Sequence, residues 1–218
     1  NFIDTYRRSG VYPAPLPHIP GSEGAGTVVG LGSEVTELRV GDRVAWADAP
    51  GSYAQYVAVP AARTVPLPDD LDFQQAAALP LQGMTAHYLA FDTAPLQIGD
   101  AALVHAAAGG VGLLLVQLLK SQGINVIGTV STDEKAQLAR AAGADNVIRY
   151  DQFEDLTTEL PSVVRALYPD GVQAVFDGVG KATFDASLAS LARCGSLVLF
   201  GGSSGQVEPV NLQRLSAA

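Results

Sequence analysis

Cysteine, methionine and tryptophan occur once each in these 218 residues, and histidine only three times. The single cysteine, Cys194, excludes an internal disulfide framework and fits a reducing compartment. Charge is sparse: 13 Lys and Arg stand against 22 Asp and Glu, for a net charge of −9. No basic run or stripe is present, which argues against nucleic acid or an anionic membrane as partner. No basic segment leading into a short apolar run opens the chain, so no secretory signal is visible. The chain also begins without an initiator Met. What is abundant is apolar. With 48% hydrophobic residues and a mean hydropathy of +0.20, the composition is that of a globular protein. The length suits one large domain or two smaller ones.

The organising stretch is residues 101–135. Residues 101–106 form a short apolar run of the kind expected for a buried parallel strand. Ala107, Gly109 and Gly112 fit an A-x-G-x-x-G turn, and residues 111–121 carry an apolar helix pattern stopped by Gly123. A second strand, rich in β-branched residues, spans 124–130. Strand, glycine turn, helix and strand follow within about 30 residues, the size of a βαβ unit. Gly109 and Gly110 lack Cβ, so backbone amides can approach a pyrophosphate, and Gly112 lets the helix lie close to the strand. The helix N-terminus then faces the phosphates. A turn used only for close packing is the alternative. A membrane span, suggested by the uncharged run 101–119, does not suit His105 and three glycines at its centre.

The end of the second strand discriminates between dinucleotides. NAD enzymes commonly place an acid there, on the ribose 2′-hydroxyl. Here the strand ends Gly128-Thr129-Val130-Ser131-Thr132, and Ser131 with Glu134 has capping-box spacing, which puts Asp133 and Glu134 in a first helical turn. Two hydroxyls and Lys135 suit a 2′-phosphate, favouring NADPH over NADH. A solvated helix residue is the alternative for Lys135.

Upstream, residues 1–20 read as loop, because Pro13, Pro15, Pro17 and Pro20 oppose a helix or central strand. Short β-like runs follow at 24–30, 42–46 and 52–60, suggesting a small barrel or sandwich. Residues 72–90 read as helical, split near Pro80 and Gly83. Beyond 135, strands are expected at 146–150, 172–176 and 196–200, with helices at 132–142, 153–167 and 183–192. Alternation of this kind predicts an α/β doubly wound parallel sheet with helices on both faces. Five strands are expected, with the chain ending before a sixth.

In order along the chain stand NFIDTYRRSGVY, GSEGAG, GDRV, GSYAQY, HAAAGGVG, GTV-S-T-DEKA, AGAD-NVI, FDGVG and FGGSSG. Together they resemble the quinone oxidoreductase (ζ-crystallin-like) branch of the zinc-free medium-chain dehydrogenase/reductases, over essentially the whole chain. The resemblance implies a partial GroES-like β-barrel domain over 1–75 and an NADPH-binding Rossmann domain over 76–218, truncated before its sixth strand. It also implies that roughly 40 residues precede and roughly 70 follow this stretch in such a protein. An uncovered apolar strand edge at the end is expected to leave the stretch poorly soluble or inactive.

The zinc-dependent cousins carry a Cys ligand near the segment held here by residues 2–6, and a Gly-His-Glu-Gly run. This chain reads Gly21-Ser22-Glu23-Gly24. One Cys with His18, His87 and His105 scattered apart makes no four-coordinate N/S site, so no metal is expected. His105 and His87 read as packing histidines. Without a metal, a carbonyl under reduction requires hydrogen-bond donors.

The resemblance nominates Tyr6, Tyr12 and Asn1 as the catalytic donors, with rim packing the alternative for the tyrosines. Asn1, Thr85 and Tyr88 would lie near the nicotinamide, and Gly109, Gly110, Val111 and Gly112 at the pyrophosphate. Ser131, Lys135 and Tyr150 would hold the 2′-phosphate. Phe200, Gly201, Ser203 and Ser204 would pass beside the nicotinamide at the carboxyl end of the fifth strand. The function implied is hydride or electron transfer from NADPH to a quinone or related conjugated carbonyl, in a cytoplasmic homodimer with no nucleic-acid or membrane partner. An NADPH-dependent enoyl reductase and a non-catalytic NADPH-binding protein stand as alternatives.

Overall fold

The computed structural model describes residues 1–216. Contacts divide the chain into two units, Asn1–Met84 and Thr85–Ala218, and the division falls inside a helix. The second domain expected from sequence ends at 218, so its last two residues lie outside the described ones.

The first unit opens with helix α1 (Phe2–Ser9), which ends where Gly10 turns left-handed at φ 81°. This corrects the loop expected over 1–20. All four prolines lie at 13–20, so they exclude regular structure only there, and FIDTYRRS forms two helical turns ahead of them. Strands β1 (Gly24–Thr27), β2 (Arg43–Trp46) and β3 (Thr64–Pro66) form an antiparallel sheet in that order. Residues 52–60 make no strand; Ser52 instead accepts from Trp46 Nε1 at 2.9 Å and donates to the Ala49 carbonyl at 2.6 Å. That pins the segment as a loop, while Val57 and Val59 pack on Val44, Trp46 and Ala49. The third strand is 64–66, where only Val65 carries an apolar β-branched side chain, too short a run to show as an alternation. Helices α2 (Phe73–Ala76) and α3 (Pro80–Asp92) follow, separated at Pro80, with Gly83 inside α3. Asp72 caps α2 by accepting from Gln75 N at 2.8 Å.

In the second unit β4 (Ala101–Val104), β5 (Asn125–Val130), β6 (Asn146–Arg149), β7 (Val172–Asp177) and β8 (Leu191–Leu199) form a parallel sheet in the order β6-β5-β4-β7-β8. Helices α4 (Gly110–Ser121), α5 (Asp133–Ala141), α6 (Leu156–Leu167) and α7 (Phe184–Ser190) connect them. Both faces are covered, which is why β4 is apolar throughout. Ala102 and Val104 join the cluster built on Leu89, Leu115, Leu119 and Phe176, while Ala101 and Leu103 join Leu160, Val164 and Ala186 on the other face. Edge strand β8 starts earlier than the sequence suggests, and its register against β7 shifts between Val172 and Ala174.

At the carboxyl end of β4 a polar group lies inside this core. His105 is buried, and so are Thr129, Asp177, Thr183 and Ser187. The Asp177 carboxylate accepts from Ser187 Oγ at 2.7 Å and from Thr183 Oγ1 at 2.7 and 2.8 Å. With its proton on Asp177, Ser187 accepts from His105 Nε2 (2.9 Å), and Thr129 Oγ1 donates to Nδ1 (3.0 Å). This fixes a neutral Nε2–H imidazole. Burial lowers the His105 pKa from its ordinary 6.5, against a smaller opposing pull from Asp177. His105 is thus the satisfied core histidine expected from sequence.

Unfolded His105 binds a proton below pH 6.5, whereas the folded one stays neutral, so its contribution is complete above that pH and is lost as pH falls. H105Q is expected to cost about 2–4 kcal/mol in urea unfolding at pH 8. It should also remove up to about 1.4 kcal/mol per pH unit from the acid-side slope that the parent shows below pH 6.5.

Candidate functional site: a glycine turn and a tyrosine pair

In the second unit the chain leaves β4 through a turn whose backbone has no room to spare. Ala106 sits at φ 50° and Gly109 N donates to its carbonyl at 2.8 Å. Gly109 is the N-cap of α4, Gly110 and Val111 its first two residues, and Gly112 is buried beneath. A Cβ on Gly112 would lie 2.3 Å from the Ala106 carbonyl oxygen and 2.8 Å from Ala107 Cα. One on Gly128 of β5 would lie 2.7 Å from Ala107 Cβ. Helix, turn and second strand therefore meet at van der Waals limit, and the exposed first-turn N–H groups of α4 have no intrahelical acceptor. Such a terminus suits an anion. Gly112 acts here through close packing, Gly109 N is spent on the Ala106 carbonyl, and Gly110 and Val111 present the amides.

At the tip of β5 the cap of α5 is Thr132, whose Oγ1 accepts from Lys135 N at 3.2 Å. This corrects the Ser131–Glu134 capping box, and the reason is register: the helix starts one residue later than that box requires. Ser131 is left to accept from Lys135 Nζ at 3.1 Å, so a hydroxyl and an ammonium stand together. Tyr150, 38% exposed, follows β6 rather than ending it, opening a short 3-10 turn.

Past β8, Phe200 N donates to the Asp177 carbonyl at 2.9 Å, and the Phe200 ring fills the space a Cβ on Gly178 would need. Gly201 packs on the Gly178 carbonyl. Ser203 N donates to that same oxygen at 3.3 Å. Ser204 Oγ donates to the Val179 carbonyl (2.7 Å) and accepts from Ala182 N (3.0 Å), so it braces two loops. Thr85 and Tyr88 sit three residues apart on α3, half-buried and exposed.

In the first unit Tyr6 and Tyr12 come together. Their rings lie 5.3 Å apart, edge to face, and Tyr12 N donates to the Tyr6 carbonyl at 3.1 Å across the Gly10 bend. Asn1 Nδ2 donates to Glu23 Oε2 at 2.7 Å, and Glu23 Oε1 accepts from Leu81 N at 2.7 Å. No local pattern pairs Glu23 with Asn1, 22 residues away. Beside it, buried Asp4 accepts from Gly21 N (3.1 Å) and from Ser22 Oγ (3.4 Å), and Arg7 donates to Ser22.

A family model described as "Zinc-binding dehydrogenase" matches residues 110–217, and one described as "Alcohol dehydrogenase GroES-like domain" matches residues 1–69. A quinone oxidoreductase of Pseudomonas aeruginosa is 49% identical over 220 residues, covering 99% of this chain and 66% of the relative. A mycobacterial protein (Rv1454c) solved in complex with NADPH is 52% identical with a TM-score of 0.94, covering 100% of this chain and 67% of that one. The Escherichia coli quinone oxidoreductase solved with NADPH is 44% identical with a TM-score of 0.92, covering 100% and 66%. The chain therefore spans about two thirds of the length of its relatives. It belongs to the medium-chain dehydrogenase/reductases, in their quinone oxidoreductase branch.

The donor set does not fit the zinc that the first model's description implies. Ser22 offers no imidazole, its hydroxyl is held between the Asp4 carboxylate and the Arg7 guanidinium, and Cys194 lies in β8 of the other unit. Among the described residues no group of three His, Cys, Asp or Glu has metal-ligand geometry.

The Gly112 contact yields a paired prediction. G112A forces its methyl into the Ala106 carbonyl and is expected to destabilise the chain by about 2–4 kcal/mol. G83A, with nothing within 4 Å of the new methyl, is expected to stabilise by about 0.5–1 kcal/mol. Urea unfolding of the two variants beside the parent measures both.

Proposed function

We propose that this chain is the dinucleotide-binding and substrate-reducing portion of a zinc-independent NADPH:quinone oxidoreductase, with residues 1–75 supplying hydrogen-bond donors and 76–218 the cofactor site. The observation that carries the reading is the turn at 106–112, where a Cβ on Gly112 meets backbone at 2.3 Å. That close packing leaves a bare helix N-terminus for a pyrophosphate. Two of its relatives are described as complexed with NADPH, which supports the same reading.

Gly110 and Val111 would hold the pyrophosphate through backbone N–H groups, with Gly109, which lacks a Cβ, letting it approach and Gly112 keeping the helix close. Ser131, Lys135 and Tyr150 would hold the 2′-phosphate, for which an ammonium and two hydroxyls are the fitting chemistry. Phe200, Gly201, Ser203 and Ser204, with Thr85 and Tyr88, would border the nicotinamide. NADPH supplies the hydride or electron when bound, and the chain supplies position and donors. Tyr6 and Tyr12 would donate hydrogen bonds to the oxygen of a quinone or conjugated carbonyl, with Asn1 oriented by Glu23. No residue here acts as a strong base, and solvent protonates the quinol. The whole protein would be a cytoplasmic homodimer with no nucleic-acid or membrane partner; the family and the single cysteine, Cys194, support this.

On full-length material, fluorescence titration is expected to show NADPH binding at least about tenfold tighter than NADH, and K135A to remove most of that difference. NADPH oxidation should proceed with 1,4-benzoquinone and not with crotonyl-CoA, and Y6F should lower kcat about tenfold with the NADPH KM unchanged. Equal affinity for the two dinucleotides overturns the cofactor assignment. Turnover of crotonyl-CoA alone makes the chain an enoyl reductase, and binding without turnover of any acceptor a non-catalytic NADPH protein.

A further inference from the structure

Next to the residues assigned to the 2′-phosphate lies an ion-paired arginine without a role in that assignment. Arg149 is the last residue of β6, Asp133 the first of α5, and Asp151 two residues beyond Arg149. Arg149 Nε and Nη2 donate to the two oxygens of Asp151, each at 2.7 Å, and Nη1 donates to Asp133. The Arg149 side chain is 20% exposed and that of Asp133 is 87% exposed. The paired guanidinium also holds the Asp151 carboxyl below its ordinary range. One planar group thus ties the end of β6 to the first turn of α5.

The position of Asp133 gives the pairing its meaning. Dinucleotide folds that take NADH present a carboxylate just beyond the second strand to the ribose 2′-hydroxyl. Asp133 is not at the strand tip but three residues past it, exposed in the first turn of α5, and its carboxylate is occupied by Arg149. An unpaired carboxylate there would accept from a 2′-hydroxyl and would repel a 2′-phosphate held by Lys135 and Ser131 within a Debye length. We propose that Arg149 sets the dinucleotide preference of this chain by occupying the Asp133 carboxylate and offsetting part of its charge, the same guanidinium being shared with Asp151. Arg149 is then a positioning residue acting through Asp133. The proposal rests on the reading that Ser131, Lys135 and Tyr150 face the adenosine phosphate.

The test is the ratio of NADPH to NADH dissociation constants, measured by fluorescence titration of the full chain, which requires no turnover. R149Q is expected to weaken NADPH about fivefold and to tighten NADH about twofold, the size of partly exposed charge interactions. Adding D133N to R149Q should return the preference to within about twofold of the parent, and R149K should stay near the parent. A merely structural role for Arg149 would weaken both dinucleotides together and would not be rescued by D133N. Parallel weakening, or an unrescued R149Q/D133N, overturns the proposal. If K135A lowers the preference and R149Q does not, the proposal fails while the 2′-phosphate assignment stands. If neither changes it, both fall.

Discussion

The carboxyl edge of the sheet in the second unit depends on one steric limit, the contact of α4 with the turn before it. Gly112 has no Cβ because the Ala106 carbonyl oxygen takes that volume, and Gly128 has none because Ala107 does. These two contacts bring helix, turn and β5 together, so the amides of the first helical turn emerge at the carboxyl edge of the sheet. Beneath the turn, His105 links Thr129 of β5 to Ser187 of α7, and Asp177 of β7 closes the group. The polar network sits directly under the strained Ala106, at φ 50°. A satisfied buried network of this kind holds a turn in one geometry.

The same device recurs at the other crossing of the sheet. Asp177 Oδ1 accepts from Val179 N at 2.8 Å and Gly180 N at 3.0 Å, so the carboxylate that anchors His105 also shapes the loop after β7. Gly180 then lies against the Gly205 carbonyl, and Gly201 against that of Gly178. The loops after β7 and β8 touch backbone to backbone, and Ser204 bridges them. One buried carboxylate therefore orders two of the loops at the sheet's carboxyl end, where such sheets take ligands.

The parallel sheet was legible because β4 is an uninterrupted apolar run and β5 is rich in β-branched residues, and the signal of a buried strand is strong when both faces are covered. The glycine turn was legible for the same reason, since only glycine satisfies its contacts. Helix α1 was hidden because four prolines in the next stretch dominated the reading of 1–20, although none lies in the helix. Strand β3 was hidden because three residues carry no periodicity, and its neighbour at 52–60 alternates without pairing. The Arg149 and Glu23 contacts are long in sequence, 16 residues to Asp133 and 22 to Asn1, and no local pattern encodes such a meeting. Side-chain pairing across elements is the part of a site that sequence reading leaves out.

The first unit shows what fills a metal-ligand position once the ligand is lost. Ser22 stands where the zinc-dependent pattern has its histidine, beside the buried carboxylate of Asp4. A buried carboxylate without partners is costly, so it needs positive charge or donors. Here Gly21 N and Ser22 Oγ supply donors and the Arg7 guanidinium closes on the serine. Under the proposed function, polarisation of a carbonyl would fall to hydrogen-bond donors, for which Asn1 and the Tyr6–Tyr12 pair are our candidates.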